Sequence, residues 1–120
     1  MDRINLESIA RSLVSQGKGI LAADESLPTI EKRLRSIGVE STEQTRRTYR
    51  EMLFTTAGLE QFVSGVILFD ETIRQSTRDG RPIRDLLAAK GILPGIKVDK
   101  GLKPLAAFLG ERITEGLDGL

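Results

Sequence analysis

The chain has 120 residues, with 18 lysines and arginines against 17 aspartates and glutamates, for a formal charge of +1. That length suits one domain rather than two, and the charge balance gives no reason to expect nucleic acid or an anionic membrane surface as the main partner. Cysteine and histidine are both absent, which removes disulfides and thiol nucleophiles and argues against a zinc site of the usual kind. Lys, Asp, Glu, Arg, Ser, Thr and Tyr49 are left to carry any chemistry.

No apolar run approaches the ~20 residues that cross a bilayer. The first residues, MDRINLESIARSLVSQGKG, carry Asp2 and Glu7 and lack the apolar stretch of a secretory signal, so the expected compartment is the cytoplasm. Ile4, Ile9, Leu13 and Val14, with Leu6 nearby, recur at roughly helical spacing, and Asn5 is a possible cap. They predict a helix over about 5–15, stopped by Gly17 and Gly19. A strand follows at 20–23. Pro28 then sits where a first helical turn tolerates it, and Ile30, Leu34 and Ile37 share a helical face up to Gly38. Ser41 and Thr42 precede an arginine-rich helix, EQTRRTYREMLFTTA, that ends near Gly58. Thr42 has no acid three residues on, so its capping box is incomplete by sequence.

GVILFDET predicts a strand over 65–72, RDGRP a turn over 78–82, and Ile83, Leu86 and Leu87 a short helix up to Gly91. GIKVDKG predicts a third strand over 95–101. The remainder reads as a loop or hairpin leading into a new helix near Leu117. Strands alternating with helices at this spacing predict an α/β fold built from parallel βαβ units, and near-continuous apolar strands fit a sheet covered by helices. Three strands cannot close a barrel, and a (β/α)₈ barrel needs about 250 residues. The expectation is therefore a single partial domain over 1–120, about three βα units of an incomplete TIM barrel, with 1–18 as an N-terminal helical extension.

Each predicted strand ends on an acid. Residues 19–26, GILAADES, align without a gap on 65–72, GVILFDET, and the third strand carries Asp99. Alternation puts Ile20, Ala22 and Asp24 on one face and Leu21, Ala23 and Glu25 on the other, so Glu25 is assigned no role. Parallel neighbours would gather the acids at the carboxyl rim, where sites in α/β folds are built, although Asp and Ser also favour ordinary turns. Lys97, between Ile96 and Val98, is the unusual residue: a partly buried ammonium needs a partner or a ligand. A structural ion pair with Asp24 or Asp99 would serve as well as a catalytic role. Ser26, Thr29 and Arg33 supply hydroxyls and a guanidinium at a strand-to-helix turn, a combination suited to a phosphate monoester; capping alone accounts for the hydroxyls equally well.

GKGILAADES, KRL at 32–34, GVILFDET with its DGRP, GIKVDKG and EGLDGL occur in one order, and together they resemble class I fructose-bisphosphate aldolase. The resemblance implies a (β/α)₈ barrel, usually homo-oligomeric. It also implies reversible cleavage of fructose 1,6-bisphosphate, a phosphorylated ketose, through a lysine Schiff base with no metal or other cofactor. It assigns Asp24 and Lys97 to the reaction centre and Ser26, Thr29 and Arg33 to the phosphate remote from the Schiff base. Thr29 replaces a common serine, and Leu27-Pro28 a smaller Thr-Gly pair. Arg46 aligns with an arginine sometimes credited with substrate contact and is read as a helix-surface residue. Asp70, where animal members have histidine, receives no role. The Schiff-base lysine and the acid/base glutamates belong to later strands, so the 120 residues alone are expected to be inactive. The alternatives are a non-catalytic phosphate-binding or interaction module, and a different Schiff-base phosphosugar barrel enzyme such as a transaldolase.

Overall fold

The computed structural model describes residues 5–119. Helix α1 (Leu6–Leu13) begins at Asn5, whose side chain accepts from the Ser8 N–H. Strand β1 (Gly19–Ala23), helix α2 (Leu27–Ser36) and helix α3 (Glu43–Phe54) follow, then strand β2 (Val63–Leu68) after a single 3₁₀ turn. Helices α4 (Asp70–Ile73) and α5 (Ile83–Ala89) lead to strand β3 (Leu93–Ile96), and a hairpin of β4 (Leu102–Pro104) and β5 (Arg112–Thr114) comes last. Among the described residues no helix is long and apolar enough to cross a membrane.

The sheet is parallel with strand order β1-β2-β3, so each strand pairs with its neighbour in sequence. This is the expected α/β arrangement, and its two faces differ sharply. Ala23, Val66 and Leu68 are fully buried and pack with Phe54 of α3 and with Ile83, Leu86 and Leu87 of α5; Ile30 and Leu34 are the buried residues of α2. The opposite face carries Ile20, Ile67 and Leu93 and forms a groove with Ile9 and Leu13 of α1. Ile20 remains half exposed there. Gly65 lets α1 come close to this face: a Cβ at that position would stand 2.6 Å from Leu13 Cδ2.

Several boundaries and one cap differ from the sequence reading. The second strand stops at Leu68 rather than reaching 72, because Asp70, Glu71, Thr72 and Ile73 form the single turn of α4. Acids are favoured in a first helical turn, where they meet unpaired N–H groups. β3 spans 93–96 rather than 95–101, although the Lys97 N–H still donates to the Leu68 carbonyl at 2.9 Å. The start of α3 is well capped after all. Thr42 Oγ1 accepts from the Thr45 N–H at 3.1 Å, and Thr45 Oγ1 accepts from the Thr42 N–H at 2.8 Å, so a threonine does the work expected of a glutamate. The hairpin is present, whereas Leu117 lies in irregular chain rather than in a new helix.

Candidate active site

Register decides what meets at the carboxyl rim. Ala23 pairs with Leu68 and Leu68 with Ile96, so Asp24 and Lys97 are the next residues on the two outer strands. Strands two apart are about 10 Å distant, a gap that a lysine stem can largely cross. Lys97 Nζ lies 3.4 Å from Asp24 Oδ2 and 2.7 Å from Asp99 Oδ2, with the lysine side chain 27% exposed. The hydrogen bond to Asp99, and secondarily that to Asp24, raises the Lys97 pKa against the opposing effect of partial burial. The same bond depresses the Asp99 carboxyl. Lys97 is therefore held as a cation, which suits charge stabilisation and anion binding and not attack on a carbonyl as a free amine. The ion pair foreseen for Lys97 includes both candidate partners. Lys97 stands just past the last residue of β3, not inside the strand.

The strand-to-helix turn holds the other predicted residues. Ser26 occupies the N-cap position of α2 with no side-chain bond to the helix backbone, so capping does not use its hydroxyl. Ser26 Oγ and Thr29 Oγ1 lie 3.2 Å apart instead. Pro28 fits the first turn, as expected from its missing N–H and fixed φ. Arg33, one turn on, places Nη1 3.4 Å from Glu25 Oε1 and leaves its side chain 59% exposed. Asp24 thus meets Lys97, Ser26 meets Thr29, and Arg33 meets Glu25.

Two arginines of α3 turn inward, one that the sequence reading left unassigned and one that it read as a helix-surface residue. Arg50 is completely buried. Its Nη1 donates to Thr72 Oγ1 at 2.7 Å, and its Nη2 to the Glu25 carbonyl at 3.1 Å and to Glu25 Oε2 at 3.3 Å. Arg46 is not a helix-surface residue either. It forms a two-pronged pair with Glu71 at 2.7 and 2.8 Å and donates to Ser41 Oγ. That bond lowers the Glu71 pKa and raises that of Arg46. The signal was present in the spacing: 46, 50 and 54 recur every fourth residue, so both arginines share a face with the buried Phe54. Asp70 lies apart, paired with Arg74 on the exposed side of α4.

The family model for class-I fructose-bisphosphate aldolase matches residues 5–120. Fructose-bisphosphate aldolase 1 of Caenorhabditis elegans is 57% identical over 116 residues, covering 96% of this chain and 32% of that protein. Fructose-bisphosphate aldolase 7, cytosolic, of Arabidopsis thaliana is 56% identical over 111 residues, covering 92% and 31%. Among solved structures, the Plasmodium falciparum fructose-bisphosphate aldolase in complex with TRAP and a small-molecule inhibitor superposes with a TM-score of 0.89 at 51% identity. That match covers 95% of this chain and 33% of the other. The chain spans about a third of the length of the relatives it matches. On sequence and on fold alike, the chain belongs to the class-I fructose-bisphosphate aldolase family.

Proposed function

We propose that this chain supplies the first three βα units of a (β/α)₈ barrel. The completed barrel, in the cytosol as the Arabidopsis relative's name has it and as a homo-oligomer, reversibly cleaves fructose 1,6-bisphosphate. The products are dihydroxyacetone phosphate and glyceraldehyde 3-phosphate, and the intermediate is a lysine Schiff base. The observation that carries the reading is the Asp24–Lys97–Asp99 cluster at the carboxyl rim of a parallel sheet. Its sheet face is the one left open beside α1, the face that further strands would turn into a barrel interior.

Within this reading each residue has a chemical task. Lys97 stays protonated and offers fixed positive charge to substrate. Asp24, in contact with Lys97, orients and stabilises the cationic intermediate that forms on a different lysine, carried by a later strand. Ser26, Thr29 and Arg33 form the seat for the phosphate remote from the reacting carbonyl, with hydroxyls facing each other and a guanidinium one turn away. The Asp24 carboxylate is the group of this segment placed to assist carbon–carbon cleavage.

Borohydride trapping with dihydroxyacetone phosphate tests the assignment. A completed barrel is made by putting residues 5–120 in place of the matching segment of the C. elegans relative. The expected adduct lies outside residues 5–120, and the 120-residue chain alone gives none. Asp24→Asn in the completed barrel should lower kcat by about 10²–10³-fold, the usual cost of removing one group that stabilises developing charge. A labelled adduct on Lys97 would overturn the scheme.

A further inference from the structure

Glu25 lies between the two residues assigned to reaction and phosphate, Asp24 and Ser26, yet its side chain faces the helices. It is 9% exposed and touches two arginines at once: Oε1 lies 3.4 Å from Arg33 Nη1 and Oε2 lies 3.3 Å from Arg50 Nη2. Arg50 is fixed from three sides, by the Glu25 carboxylate, the Glu25 carbonyl and the Thr72 hydroxyl. Its Nε, also buried, has no partner among the described residues. A guanidinium this deep depends on the bonds it does make, so it cannot release Glu25 cheaply. One carboxylate oxygen is therefore locked on a buried cation of α3. The other is presented, at a fixed place, to an exposed cation of α2.

We propose that Glu25 is a positioning residue for the phosphate site: braced by Arg50, it holds the Arg33 guanidinium beside the Ser26–Thr29 turn. Arg33 has a long, mostly exposed side chain, and holding such a chain in one place costs rotamer entropy. A preset guanidinium has met that cost before the phosphate arrives. Glu25 itself touches no substrate. The proposal rests on the reading of Arg33 as a phosphate ligand, so the test must separate the two ideas.

The test is a double-mutant cycle in the completed barrel, run on fructose 1,6-bisphosphate and on fructose 1-phosphate, which lacks the remote phosphate. Glu25→Gln should raise KM for the bisphosphate about fivefold, keep kcat within about twofold, and leave fructose 1-phosphate kinetics nearly unchanged. In an Arg33→Ala background the same substitution should cost nothing further, because coupled residues are not additive. Glu25→Asp keeps a carboxylate against Arg50 but is too short to span both arginines. It should show the same selective rise, and it serves as the second probe if the glutamine variant folds poorly. Equal losses on both substrates, or additive losses with Arg33→Ala, overturn the proposal. If Arg33→Ala abolishes the preference for the bisphosphate while both Glu25 variants keep it, the Glu25 proposal alone falls. If Arg33→Ala leaves that preference intact, the phosphate reading of Arg33 falls first and takes the Glu25 proposal with it.

Discussion

Thr72→Val is the sharpest probe of the buried network. Thr72 and Arg50 are both fully buried, and the threonine hydroxyl accepts from Arg50 Nη1 at 2.7 Å. Valine keeps the volume, so no cavity forms, but the guanidinium loses an acceptor it cannot replace with water. Hydrogen bonds to charged groups contribute about 1.5–3 kcal/mol. The added methyl returns about 0.8 kcal/mol through apolar burial. The net expectation is a loss of about 1–2 kcal/mol, read from denaturant midpoints at constant slope in the completed barrel. The cycle with Arg50→Met is more telling. Once the guanidinium is gone, Thr72→Val should cost about 1 kcal/mol less than it does in the native background. A loss below about 0.5 kcal/mol for Thr72→Val, or strict additivity in the cycle, would refute a stabilising bond between Thr72 and the buried Arg50.

Titration and the hairpin offer further tests. Glu71 and Asp99 have depressed pKa values, the first through Arg46 and the second through Lys97. Their stabilisation is present above the ordinary carboxylate range, about 4, and is lost as pH falls through their lower folded values. Lys97 has a raised pKa, so its share is present below about 10.4 and is lost as pH climbs through the higher folded value. Unfolding midpoints measured against pH should fall on both sides, and Glu71→Gln should flatten the acid side; an unchanged acid limb in that variant counts against the Arg46–Glu71 pair. Gly116→Ala should loosen the hairpin. Gly116 has φ +146°, and a Cβ there would stand 2.2 Å from the Val98 carbonyl oxygen and 2.8 Å from Asp99 Cα. Those are backbone atoms, which cannot step aside as a side-chain end can, and strain of this kind costs at least about 1–3 kcal/mol. Faster limited proteolysis between 100 and 116 is the expected result, and unchanged cleavage contradicts it.

The legible parts of the sequence were those in which one local signal dominated. GILAA reads as a strand and forms one, and the period of two correctly separated the faces of Asp24 and Glu25. The end of β2 misled because FDET looks like the end of GILAADES, while the chain turns helical at Asp70. Apolar content does not distinguish a strand that continues from one that hands its acids to a helix. The spacing put Arg50 on the face of Phe54, but its partners were not legible. An arginine on a polar helix is usually solvated, and its burial depends on Glu25 and Thr72, which lie 25 and 22 residues away in the chain. Pairing at that separation is tertiary information. The threonine cap of α3 went unrecognised because the expected motif names an acid at the third position, whereas a second hydroxyl can close the same pair of bonds.

The buried placement of Arg50 also bears on ionic strength. Mobile ions screen exposed charges strongly and buried pairs far less, with a Debye length of about 8 Å in physiological salt. Arg33 is open to solvent and will feel added salt; Arg50, its contacts with Glu25 and its bond to Thr72 are closed to it. If Arg33 binds phosphate as proposed, salt weakens its long-range pull on the arriving anion while the Arg50–Glu25–Thr72 frame beneath the Ser26–Thr29 turn keeps its geometry. On the proposed phosphate reading, the pull on the anion and the frame that braces Glu25 are set by charges in two different dielectric settings, and added salt acts mainly on the first.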